Sequence, residues 1–103
     1  MSFLDTPEHH TYTGIVLIKQ GKYDDAAREL SLALQINRES ALTHAGLSLV
    51  KAQRGDLDAA FEYIGLAEEF ARTARERVFI STAKIQLYTL SRSPAGWIDS
   101  AEE

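Results

Sequence analysis

The sequence predicts an all-α fold: helix-turn-helix units stacked in an array of five to six antiparallel helices. Three observations predict it. Gly21-Lys22-Tyr23-Asp24-Asp25-Ala26, followed by Leu30 and Ala33, recurs as Gly55-Asp56-Leu57-Asp58-Ala59-Ala60, followed by Ile64 and Ala67, with the same offset between the members of every pair. A fixed period of this length marks a repeat array, in which each unit buries its apolar face only by stacking on the next. The apolar positions between the echoes follow helical spacing, as in Ala26, Leu30, Ala33 and Leu34. Glycines and capping residues fall where such helices would have to start and stop.

Taken in order, residues 1–6 read as a flexible N-terminus. Thr6-Pro7-Glu8 then starts the first helix. Thr6 can accept a backbone N–H, Pro7 has the fixed φ of a first helical residue, and Glu8 complements the positive helix end. That helix runs to about Gln20 and stops at Gly21. Asp24 is the expected cap of the second helix, which covers about 25–37. Ser40 caps a third, ending near Arg54. Asp58 is the expected cap of the fourth, with Ala60, Phe61, Ile64, Ala67 and Phe70 on its buried side. Thr73 and Glu76 form a T-x-x-E capping box that opens a long fifth helix reaching about Leu90. Ser93-Pro94 breaks the pattern and can start a short sixth helix; the other reading of this stretch is a disordered tail. The expected units are therefore 7–40, 41–74 and a degenerate 75–103.

The composition is that of a soluble globular domain: 103 residues, 45% hydrophobic and 25% charged. A net charge of −4, with scattered Lys and Arg, argues against nucleic acid, whose phosphates need a concentrated basic face. There is no cysteine, so disulfide and thiolate chemistry are excluded. The longest apolar run, Ile15-Val16-Leu17-Ile18, is far too short to span a membrane. The start of the chain has neither a basic stretch nor a long apolar core, so a cytoplasmic protein is expected. His10 and His44 occupy equivalent places in the two units, but no acidic third ligand stands at clear spacing, and packing roles are expected rather than a metal site. Asp24/Asp25 and Asp56/Asp58 sit at turns and caps, while Glu68 and Glu69 point apart on one helix. No nucleophile–base pairing or phosphate loop is present. The chain is read as a non-enzyme without cofactor.

Two helices per repeat, with Ala-x-x-x-large in the second helix, resembles the tetratricopeptide repeat, whose unit has the same length. Gly14 matches that family's packing glycine, with Ala26 and Leu30 as the second-helix pair. In the second unit Leu47 matches, Ser48 replaces the glycine, and Ala60 and Ile64 form the pair. His10 and His44 stand where the family often has tryptophan. Arg38 and Arg72 stand where it often has proline, and Lys51 replaces a tyrosine.

The resemblance implies a right-handed array whose first helices line a concave groove that binds a peptide segment of a partner protein. Thr11, Ile15, Ile18, Lys19, Ala45, Leu49, Ala52, Gln53, Phe79, Ala83, Gln86 and Leu87 are the implied lining. The acidic-tail clamp of one member class is not expected, because its registers hold Thr11, Ile15, Gly46, Glu76 and Ile80. A second expectation is homodimer formation through a poorly covered C-terminal face of Ile85, Leu90, Trp97 and Ile98.

Overall fold

Helix boundaries follow directly from the capping chemistry. The computed structural model describes residues 6–92, and these form five α-helices with no strand among them. They are α1 (Pro7–Lys19), α2 (Tyr23–Ile36), α3 (Ala41–Gln53), α4 (Leu57–Phe70) and α5 (Ala74–Ser91). Thr6 accepts from the His9 N–H, Ser40 from Thr43 and Thr73 from Glu76, as the sequence predicts. The sixth helix expected at Ser93–Pro94 lies outside the described residues.

The echoed stretch is a turn repeated in detail. Gly21 and Gly55 have φ of 77° and 86°, the left-handed region that glycine enters without steric cost. In the first turn the Lys22 N–H donates to the Leu17 carbonyl at 2.9 Å and the Gly21 N–H to Ile18 at 3.0 Å. In the second, Asp56 donates to Lys51 and Gly55 to Ala52 at the same distances. This is the paired hydrogen bonding that closes a helix on a left-handed residue. Because the reversal is so tight, the next helix begins earlier than the sequence suggests. The residue before α2 is Lys22, with no side-chain cap, and the cap of α4 is Asp56, which accepts from the Ala59 N–H. Asp24 and Asp58 instead lie in the first turns, where a carboxylate still favours the positive helix end. Asp24 also pairs with Arg54 across the two turns.

The helices pack as two hairpins, α1–α2 and α3–α4, with α5 resting on α3 and α4. α3 touches all four others, and most of its residues are buried. Such a central position buries polar side chains as well as apolar ones, and Thr43, His44 and Ser48 are each hydrogen-bonded there. One buried cluster, Ala26, Leu30, Leu47 and Val50, joins the first hairpin to α3. A second joins α3, α4 and α5 through residues including Ala45, Ile64, Ile80 and Leu87. Close approach depends on small residues. A Cβ on Gly14 would stand 2.6 Å from Leu30 Cγ, and one on Gly46 would stand 3.0 Å from Leu30 Cδ2. Ser48, in the place equivalent to Gly14, also hydrogen-bonds: its hydroxyl donates to the buried Ala60 carbonyl at 2.7 Å.

The α5 start gives a pH-dependent term. The Glu76 carboxylate accepts from the Arg72 and Thr73 N–H groups at 2.8 and 2.9 Å. The Arg72 bond, opposed by partial burial and helped by Thr73, holds the Glu76 carboxyl below its usual value. A folded-state value below the unfolded one means that the contribution is complete at neutral pH and is lost as acid protonates the group. Glu76→Gln is therefore expected to unfold at a lower temperature than the parent at neutral pH and to approach it near pH 3. Thermal unfolding at both pH values checks this, and an unchanged gap would remove the assignment.

Candidate functional site

Helices α1, α3 and α5 present one side of the array. Along α1 the residues Ile15, Ile18 and Lys19 recur at helical spacing, and along α5 so do Val78, Phe79, Thr82, Ala83 and Gln86. With Leu49 of α3 at the base and Arg75 at the start of α5, they enclose an open cleft of about 390 Å³. That lies within the roughly 300–1,000 Å³ usual for ligand sites. The walls are aliphatic and aromatic. Its polar groups are two cations, Lys19 and Arg75, with Thr82 and Gln86.

The structure brings together seven of the residues implied by the resemblance: Ile15, Ile18, Lys19, Leu49, Phe79, Ala83 and Gln86. The others lie elsewhere. Ala45 and Ala52 are buried in the core between α3, α4 and α5, because they face that interface. Gln53 is exposed and does not line the cleft. Thr11 is buried: its hydroxyl donates to the Pro7 carbonyl at 2.7 Å and lies 2.8 Å from the Thr43 hydroxyl. That contact fastens α1 to α3. Leu87 is fully buried and belongs to the core. Three lining residues were not foreseen: Arg75, Val78 and Thr82. They fall one helical turn apart, at i, i+3 and i+7, on the same side of α5 as Phe79 and Gln86, so the helical period carried the signal.

A second, more polar cleft of about 510 Å³ adjoins the N-terminal ends of these helices. Glu8, Glu39, Arg72 and Glu76 are among its lining. Arg72 pairs with Glu39 at 3.4 Å, and Glu76 is turned onto the backbone of the α4–α5 connection.

His10 and His44 make contacts between helices. His44 is buried, stacked on Tyr63 and Phe70 at centroid distances of 6.0 and 5.6 Å, so it serves as the aromatic filler its register suggests. Its Nε2 lies 2.8 Å from the Arg38 carbonyl, and its buried Nδ1 has no hydrogen-bond partner. An N–H at Nε2 is the tautomer that satisfies that carbonyl. His10 Nδ1 meets Glu29 at 2.9 Å. Among the described residues, no group of three or more His, Cys, Asp or Glu could hold a metal.

Away from the cleft, α5 is apolar and exposed at Ile85 and Tyr88, with Ile85 67% accessible. Leu90 is not part of that surface, because it packs against the core. Trp97 and Ile98 lie outside the described residues. No described helix is long and apolar enough to cross a membrane. No protein-family model, curated protein or solved structure matches the chain.

Proposed function

We propose that this chain is a protein-interaction module, built as a right-handed tetratricopeptide-like array, whose cleft between α1, α3 and α5 binds a peptide segment of a partner protein. The observation that carries the reading is the cleft itself. Ile15, Ile18, Leu49, Val78 and Phe79 form one apolar lining open to solvent, which a core would have closed. Grooves of this kind take up the apolar side chains of extended or helical segments.

Val78 is the residue to change, because it lines the cleft yet is 65% exposed, whereas Leu49 is 8% exposed and part of the core. Panning a random peptide library on the purified chain is expected to enrich binders that shift the amide resonances of Ile15, Leu49 and Phe79. Val78→Glu, with its fold unchanged by circular dichroism, is expected to weaken them at least about tenfold, the loss of one apolar anchor in a groove. Binders indifferent to Val78→Glu, or no binders at all, would remove the reading.

A second reading is favoured by the exposed Ile85 and Tyr88: self-association through the outer side of α5. Terminal units of helical arrays ordinarily need a polar outer face. Light scattering of the same two samples separates the readings, since only self-association makes the mass rise with concentration.

A further inference from the structure

The charges around the cleft narrow the class of peptide. Lys19 and Arg75 line it, no Asp or Glu does, and neither cation has an ion-pair partner among the described residues. Glu8, Glu39 and Glu76 line the adjoining cleft instead, where Glu39 is held by Arg72 and Glu76 by backbone N–H groups. Helix stability explains Lys19, which stands in the last turn of α1, where a cation complements the helix dipole. It does not explain Arg75, the second residue of α5, where a cation meets the positive end.

The two cations stand at opposite ends of the cleft. Thr11 meets Thr43, which sets α1 beside α3. Ile15, Leu49 and Ala83, each one repeat on from the last, line the same cleft, so α5 continues that register. Lys19 is then level with Leu87, beside Gln86, and Arg75 lies about three helical turns earlier on α5. At a rise of about 1.5 Å per residue, the separation along the helices is about 18 Å. An extended chain covers that distance in about five or six residues.

We propose that the cleft selects an extended segment in which an apolar centre is flanked on both sides by acidic residues about five positions apart. The apolar side chains enter between Ile15, Leu49 and Phe79, and the two carboxylates meet Lys19 and Arg75. This inference rests on the peptide-binding reading above and adds the chemistry of the ligand.

The test is fluorescence anisotropy with end-capped peptides that share a Leu-Phe-Leu centre and carry Glu, Gln or Lys at both flanks, about five residues apart. The Glu peptide is expected to bind about tenfold more tightly than the Gln peptide at low salt, with the Lys peptide weakest and the advantage shrinking as salt screens the pairs. The double variant Lys19→Gln/Arg75→Gln, both exposed positions, is expected to bind Glu and Gln peptides equally, with the Gln peptide unchanged. A version that keeps one Glu and carries Gln at the other flank is expected to bind more weakly than the Glu peptide. If that version binds as tightly as the Glu peptide, the two-ended assignment is overturned. Equal binding of the Glu and Gln peptides by the parent overturns the charge selection and leaves the cleft reading intact. Failure of all three peptides to bind overturns both.

Discussion

Leu30→Ala is expected to destabilise the fold by about 2–5 kcal/mol, the range for deleting a large aliphatic side chain from a packed site. Leu30 is fully buried, and it is wedged from two directions by residues that have no side chain of their own, Gly14 of α1 and Gly46 of α3. It therefore fixes how closely α2 approaches both. Gly14→Ala attacks the same contact from the other side. Its Cβ would stand 2.6 and 2.8 Å from Leu30 Cγ and Cδ2, so either Leu30 or α1 must move. Overpacking of this kind costs about 1–3 kcal/mol. The two effects are not independent. Once Leu30 is alanine the clash disappears, and the new methyl group fills part of the cavity. The double variant Gly14→Ala/Leu30→Ala should consequently be clearly more stable than the sum of the single losses predicts, as neighbours sharing one space do. Denaturant unfolding of the four proteins measures the coupling, and strict additivity would show that the contact is not the limiting one.

The Gly14–Leu30 contact was legible in the sequence because a repeat states each packing rule twice. Gly14 with Leu30, and Ser48 with Ile64, hold equivalent places in successive units. The starts of α2 and α4 were not legible to the residue. Asp24 and Asp58 are good capping residues by chemistry, but the left-handed glycines turn the chain so sharply that the helices begin before them. Side-chain preference yielded there to backbone geometry. The cleft was half legible. Spacing on a helix assigns residues to a side, but it cannot say how deep that side lies when a third helix covers it. Ala45 and Ala52 share a side with Leu49, and the arrival of α5 buries them. Arg75 and Val78 were missed for the converse reason: among the described residues, α5 packs on α3 and α4 over only part of its circumference, so more of it faces solvent and the cleft.

The position of α5 as the last described helix also governs the second large effect. Leu87→Ala is expected to lower stability by about 2–5 kcal/mol, since Leu87 is fully buried against α3 and α4. The loss should fall unevenly. In a linear array each unit is stabilised by its own helices and by the interface with its neighbour. α5 packs on α3 and α4, with nothing described beyond it, while α3 touches α1, α2, α4 and α5. Weakening the α5 interface should thus release α5 by local opening long before the two hairpins unfold. Hydrogen exchange is expected to show strong loss of protection across Ala74–Ser91 and little change in α1 to α3. Because α5 carries Arg75, Val78, Phe79, Thr82, Ala83 and Gln86, the same variant should lose the cleft and with it peptide binding, although no cleft-lining residue has been changed. Uniform loss of protection over all five helices would instead mean that the array unfolds as one cooperative unit, and that α5 is as integral to the hairpins as they are to each other.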